Sequence, residues 1–170
     1  MENNNQNNQF LIIPNTELNL IPYYDEVISV GITGINTKTE KPISPPTNYI
    51  DTGDFFRDAT FAVRHYGENM TEYPNGYILA LKEIQDIQLV VWGHDYVIET
   101  DAYRLTKKNQ KSATPNHITA YSTNLAIHPD GQPIHEPIDI PIESIKKISV
   151  VIGYVVKKCG TVMSNVKKEE

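Results

Sequence analysis

Between Tyr49 and Val162 the chain alternates short segments rich in valine, isoleucine and tyrosine with clusters of turn-forming residues. The apolar segments are TFAVRHY, GYILALKEI, IQLVVW, DYVIET, HITAYST, IDIPI and KISVVIGYVV. DTGD, YPNGY, WGHD, TPN and HPDGQP punctuate them, and glycine, proline, asparagine and aspartate favour turns because they tolerate or preset the required backbone angles. Branched and aromatic side chains at that spacing predict β-strands joined by turns. The best candidates for a 3.6-residue apolar stripe, near Leu81 to Ile87 and Ile142 to Ile148, are short and isoleucine-rich. The expected body is therefore mainly β. LKEIQDIQLVV and IESIKKISVVI are alike, but their flanks do not align, so they read as two strands of similar burial.

The ends differ in character. Residues 1–9 form an asparagine-rich tail too polar to bury, and residues 164–170 form a charged tail. Residues 10–35 are apolar but broken by prolines, and residues 36–48, with three prolines, read as a loop joining this arm to the body at 49–163.

With 170 residues the chain is long enough for one domain with a sizeable core. A formal charge of −6 speaks against direct nucleic-acid binding by a basic face. The single cysteine, Cys159, permits no internal disulfide and no cysteine-based zinc site, and the first residues lack the basic and apolar parts of a signal peptide. No apolar run approaches the roughly 18 residues that span a membrane. A cytoplasmic protein is the expectation.

Metal and cofactor chemistry find little support. His65, His94, His117, His128 and His135 are scattered without the i, i+4 spacing of a helical metal site, and read as surface or turn residues. His117, Ile118 and Thr119 form a single H-x-T, whereas the phosphoesterase chemistry of that motif needs two copies. GENM at 67 to 70 lacks the frame of a phosphate-binding loop. No metal and no cofactor is expected. Lys107 and Lys108 read as the close of a strand, YRLTKK, where the ordinary role of a lysine pair is solvation.

The order of the pieces carries more. GDFFRDATFAVRHYGENMTEYPNGYILALKEI, WGHDYVIETDAYRLTKK, HITAYSTN and IDIPIESIKKISVVIGYVV follow one another. This series resembles the C-terminal domain of the LexA and phage-repressor family of self-cleaving serine peptidases, particularly its Bacteroidetes-type members. The resemblance implies several coiled antiparallel β-sheets with an N-terminal cleavage-site arm. It places Gly67, Glu68, Asn69 and Met70 where the family has G-D-S-M, so Asn69 stands at the nucleophile position. Lys107 matches the general base, with a shift to Lys108 left open, and STN at 122 to 124 matches S-x-N. IPYYDEVISVGITG resembles the segment that is cut, with Val30 and Gly31 as the scissile pair.

Departures from the pattern bear on activity. An amide cannot form an acyl-enzyme, so self-cleavage is not expected. Val30 replaces an alanine, Tyr77 replaces an aspartate, and the turn after Met70 is one residue short. The implied function is a repressor-type regulatory and dimerisation domain without self-cleavage, acting in transcriptional or mobile-element control. Its expected partners are a second copy or a full-length repressor. The alternative is an active self-processing Ser-Lys domain in which Ser122, Ser29 or another hydroxyl replaces the missing serine. The 48 residues before the body are too proline-broken for a helix-turn-helix module, so this chain is not expected to read an operator alone.

Overall fold

The computed structural model describes residues 18–25 and 45–156. Val30 and Gly31, the expected scissile pair, and Cys159 lie outside the described residues. Among the described residues nine strands form: β1 (Leu20–Tyr24), β2 (Asn48–Asp51), β3 (Phe61–Arg64), β4 (Ile78–Glu83), β5 (Asp95–Thr100), β6 (Arg104–Lys111), β7 (His117–Tyr121), β8 (Ile138–Pro141) and β9 (Ile145–Val155). They join in the order β2-β1-β3-β4-β9-β5-β6-β7-β8. The protein is mainly β, as its turn-punctuated pattern predicts.

The expectation of several antiparallel sheets is corrected to one continuous mixed sheet. β9 is the reason. Its C-terminal half pairs with β4, from Ile78↔Val155 to Glu83↔Ser149, and its N-terminal half pairs with β5, from Tyr96↔Val150 to Thr100↔Ile145. One eleven-residue strand thus spans what would otherwise be two sheets. Among the described residues one ladder is parallel, and it joins β1 to β3 through Tyr23↔Ala62 and Tyr24↔Val63.

The sheet buries both faces along its central strands. Phe61, Val63, Leu79, Leu81 and Val97 point into one cluster with Met70 and Tyr73. Their neighbours Ala62, Ile78 and Ala80 point the other way and meet Ile21, Tyr23 and Ala59. Tyr96 and Ile98, alternating with Val97, enter a third cluster with Val90, Ile118, Ala120, Ile140 and Ile148. A strand covered on both sides needs apolar residues at consecutive positions, which is why ILAL and YVI read as unbroken runs.

Three local expectations change. IQLVVW is not a strand: Ile87–Leu89 is a 3-10 helix whose Asp86 side chain caps Gln88 N, and the Tyr96 hydroxyl accepts from Val91 N and donates to Val91 O. These bonds replace a ladder, and LKEIQDIQLVV is no counterpart of the strand in IESIKKISVVI. YRLTKK does not end at the lysines, because β6 runs on to Lys111. Finally, β2 begins at Asn48, and β1 from the arm lies between β2 and β3 with Ile21 and Tyr23 buried. The described part of the arm is a strand of the body's own sheet. Among the described residues no helix is long and apolar enough to cross a membrane.

Candidate functional site

The loop from His65 to Tyr77, joining β3 to β4, is pinched at its base: His65 N donates to Tyr77 O at 2.7 Å and Gly76 N to His65 O at 2.9 Å. Its entry turns through Gly67, whose φ of +118° is costly for any residue with a Cβ. Within the loop, Met70 is 2% exposed and sits in the core cluster of β3, β4 and β5. A buried thioether one residue after Asn69 holds the asparagine at the rim of the core.

A second loop, Ser122 to Asn124 after β7, clasps the first. Asn124 N donates to Asn69 O at 3.1 Å, and the Asn124 amide donates to Glu68 O at 2.6 Å. Thr71 N donates to Thr123 Oγ1 at 2.9 Å, and the Thr123 hydroxyl donates to the Glu72 carboxylate. The GENM and STN pieces, about fifty positions apart in sequence, are therefore sewn together by main-chain and side-chain hydrogen bonds. The same bonds help to hold Glu72 ionised below the usual carboxylate range, against the upward push of its partial burial.

β6 supplies the third wall. Its side chains alternate, and the pairing Asp95↔Lys108 and Lys108↔Tyr121 puts Lys108 on one face and Lys107 on the other. Lys108 Nζ lies 2.8 Å from Asp95 Oδ1 and donates to Gly93 O. Lys107 faces inward, is only 5% exposed, and its Nζ donates to Ser122 Oγ, one step along the β6/β7 register. Desolvation pushes the Lys107 amine below the usual lysine range, because burial penalises the charged form. Lys107 opens onto a cleft of about 520 Å³ whose far wall is the turn from His128 to Ile138, including Pro133, Ile134, His135 and Glu136.

Asn69 faces β6 without bonding the lysine. Its amide Nδ2 donates at 2.6 Å to the carbonyl of Thr106, the residue before the lysine. The physical reason is alternation: the Thr106 carbonyl lies in the plane of the sheet, within reach of the loop, while the Lys107 amine is drawn across to β7. Gly67, Glu68, Asn69, Met70, Lys107 and the STN loop thus come together. Where Val30 and Gly31 lie is outside the described residues. Asp25, at the end of the described arm, is tied to the base of the same loop by Arg64, which also donates to Gly76 O, and by the Tyr66 hydroxyl. The hydrogen bond from Arg64 holds the Asp25 carboxyl below its usual range.

His65 corrects the reading of all five histidines as surface or turn residues. It is 2% exposed, its Nδ1 lies 3.1 Å from Thr106 Oγ1, and its ring meets Tyr73 edge-on. Sequence offers one signal, its place at the end of an apolar strand run. Burial lowers the pKa of His65. A depressed folded-state pKa means that the unfolded chain binds the proton more readily, so stability is fully present above about pH 6.5 and falls as the pH drops further. The melting temperature is expected to decline from neutral pH toward mildly acidic pH, and His65→Gln should reduce that slope in thermal unfolding measured across the series. An undiminished slope in His65→Gln would assign the acid sensitivity elsewhere.

The arrangement offers a desolvated amine bonded to a hydroxyl at a cleft, with an amide beside them that cannot take an acyl group. Among the described residues no three histidine, cysteine, aspartate or glutamate side chains converge as a metal site would require. No family model matches this chain, and no curated protein matches it.

Proposed function

We propose that this chain is a LexA- or phage-repressor-type regulatory and dimerisation domain that does not cleave itself. The observation that carries this reading is that hydrogen bonds bring the GENM loop, the β6 segment of Thr106 and Lys107, and the STN loop together, with Asp25 of the PYYD segment tied through Arg64 to the base of the GENM loop. Four sequence pieces that the family resemblance singles out separately become neighbours. With an amide at position 69, bonded to Thr106 O, the nucleophile position holds no hydroxyl. Such a domain would act in the cytoplasm by pairing with a second copy or with a full-length repressor, and would leave operator contact to the partner, consistent with its acidic balance.

Two measurements test the reading. The full chain is expected to keep its intact mass through prolonged incubation at alkaline pH, where a lysine base is neutral; fragments that part between Val30 and Gly31 would overturn the loss of cleavage. Light scattering over a dilution series should report a dimer, and a strictly monomeric chain would remove the dimerisation role.

One observation favours a second reading, an active self-processing domain: the Lys107 amine bonds a hydroxyl after all, that of Ser122. In that case the same incubation yields fragments, and Ser122→Ala abolishes them.

A further inference from the structure

With an amide at position 69, Lys107 has no hydroxyl to serve at the nucleophile position, yet it stays only 5% exposed at the floor of the cleft under the 128–138 turn. Burying an amine is costly unless a partner or a use offsets it. Lys82, Lys108, Lys146 and Lys147 each face a carboxylate, that of Asp58, Asp95, Asp101 and Glu83 respectively, and Lys111 is exposed to water. Lys107 differs from all five. Among the described residues no carboxylate pairs with it, and its Nζ donates to Ser122 Oγ, a bond that leaves the nitrogen lone pair free in the neutral amine. Desolvation favours that neutral form. The space in front is about 520 Å³, enough for a small ligand, with Pro133, Ile134 and Ile138 as apolar wall and His128, His135 and Glu136 as proton donors and acceptors.

We propose that Lys107 is a nucleophilic amine that condenses with the carbonyl group of a small, uncharged aldehyde or ketone seated in this cleft, forming an imine. This goes beyond the regulatory reading and needs no serine. The Lys107 nitrogen forms a bond to the carbonyl carbon with its lone pair, while the carbonyl oxygen takes up a proton and becomes the hydroxyl of a carbinolamine. That hydroxyl then leaves as water. The two protons of the amine end on the departing water, so the step consumes no oxidant, reductant or further reactant. His128 and His135 line the same space, and an imidazole can both give and take a proton near neutral pH, as the addition and the loss of water require. The apolar wall suits an alkyl or aryl substituent. Glu136 in the lining and the formal charge of −6 on the chain disfavour a carbonyl compound that carries a carboxylate or phosphate.

The probe is acetylacetone, an uncharged diketone that condenses with a neutral amine by the same step and settles as a conjugated enaminone with its own near-ultraviolet band. It is applied to the full chain at neutral pH, and mass spectrometry of the peptides reads the site. Lys107 is expected to be modified before every other lysine, and both the early band and the early mass gain should be lost in Lys107→Met. The exposed and ion-paired lysines of the native chain serve as internal controls, so the result is readable even where Lys107→Met does not fold. Ile134→Asp, a change at a half-exposed position of the cleft wall, should slow the modification of Lys107, and unfolding in urea should abolish its lead over the other lysines. Modification led by exposed lysines overturns the proposal. So does a lead of Lys107 that persists in urea, or a rate at Lys107 that Ile134→Asp leaves unchanged.

Discussion

Met70→Ala is expected to destabilise the protein by about 2–5 kcal/mol, the usual cost of removing most of a buried large side chain when the surroundings close only in part. Met70 is among the largest fully buried side chains and packs with Phe61, Val63, Tyr73, Leu79, Leu81 and Val97. Its backbone also stabilises the loop: the Met70 carbonyl accepts from Tyr73 N at 3.4 Å, and the next residue, Thr71, donates to the STN loop. The variant should therefore lose more than core packing. Urea unfolding would report the drop in midpoint, and hydrogen exchange should show faster opening of Gly67, Thr71 and Asn124 than of β5 or β9. A loss below about 1 kcal/mol, or exchange that quickens evenly over the whole sheet, would mean that Met70 does not anchor the site loop.

Asp95→Ala is the second large effect, expected at about 1–3 kcal/mol. The Asp95 carboxylate accepts from the Tyr73 hydroxyl at 2.7 Å on Oδ2 and faces Lys108 Nζ at 2.8 Å on Oδ1. It lies at the start of β5, so it straps the site loop to the strand pair that carries both lysines. Removing it leaves a buried phenol and a partly buried ammonium without their partner, and such orphaned groups cost more than the bond itself contributed. The lower bound reflects the partial exposure of Lys108, which keeps some contact with water and with Gly93 O. Asp95→Asn separates the two roles, since its amide oxygen still accepts from Tyr73 but carries no charge for Lys108. If Asp95→Asn is as damaging as Asp95→Ala, the ion pair dominates; if it is close to the native chain, the Tyr73 hydrogen bond does. Burial and the neighbouring carboxylate also push the Tyr73 phenol far above its ordinary range, so this strap stays protonated through the whole physiological span.

Seven apolar segments were legible as strands, and six of them became β3, β4, β5, β7, β8 and β9, while β6 came from YRLTKK and IQLVVW formed no strand. That segment failed for a local reason. It is rich in branched residues, but Asp86 caps a 3-10 turn and the Tyr96 hydroxyl takes the Val91 main-chain groups, so those groups are bonded locally and not in a ladder. β1 lay hidden in the proline-interrupted arm because Pro22 removes one main-chain donor. It is tolerated because β1 retains β2 on one side through Ile21↔Ile50 and only a short parallel contact to β3 on the other. The candidate site was legible as separate pieces, GENM, Lys107 and STN, each from the family resemblance. Ser122 stood among them both as a position in S-x-N and, with Ser29, as a hydroxyl that could replace the missing serine, and the pairing of β6 with β7 is what brings its hydroxyl to Lys107. His65 was passed over because five scattered histidines give no sign of which one the sheet will cover.

Local chemistry determined what each segment could be. Branched residues at strand spacing, the positive-φ glycines at Gly67 and Gly76, and an amide at position 69 are properties of residues and their immediate neighbours, and they survive any arrangement of the sheet. The tertiary structure decided which groups meet. A strand presents alternate residues to opposite faces, so whether Lys107 or Lys108 enters the cleft depends on the register of β6 against β5 and β7. That register, set by the burial of Tyr96, Ile98, Ile118 and Ala120, carries Lys107 to Ser122 and leaves Asn69 on the carbonyl of Thr106. Pairing across strands far apart in the chain is a property of no single segment.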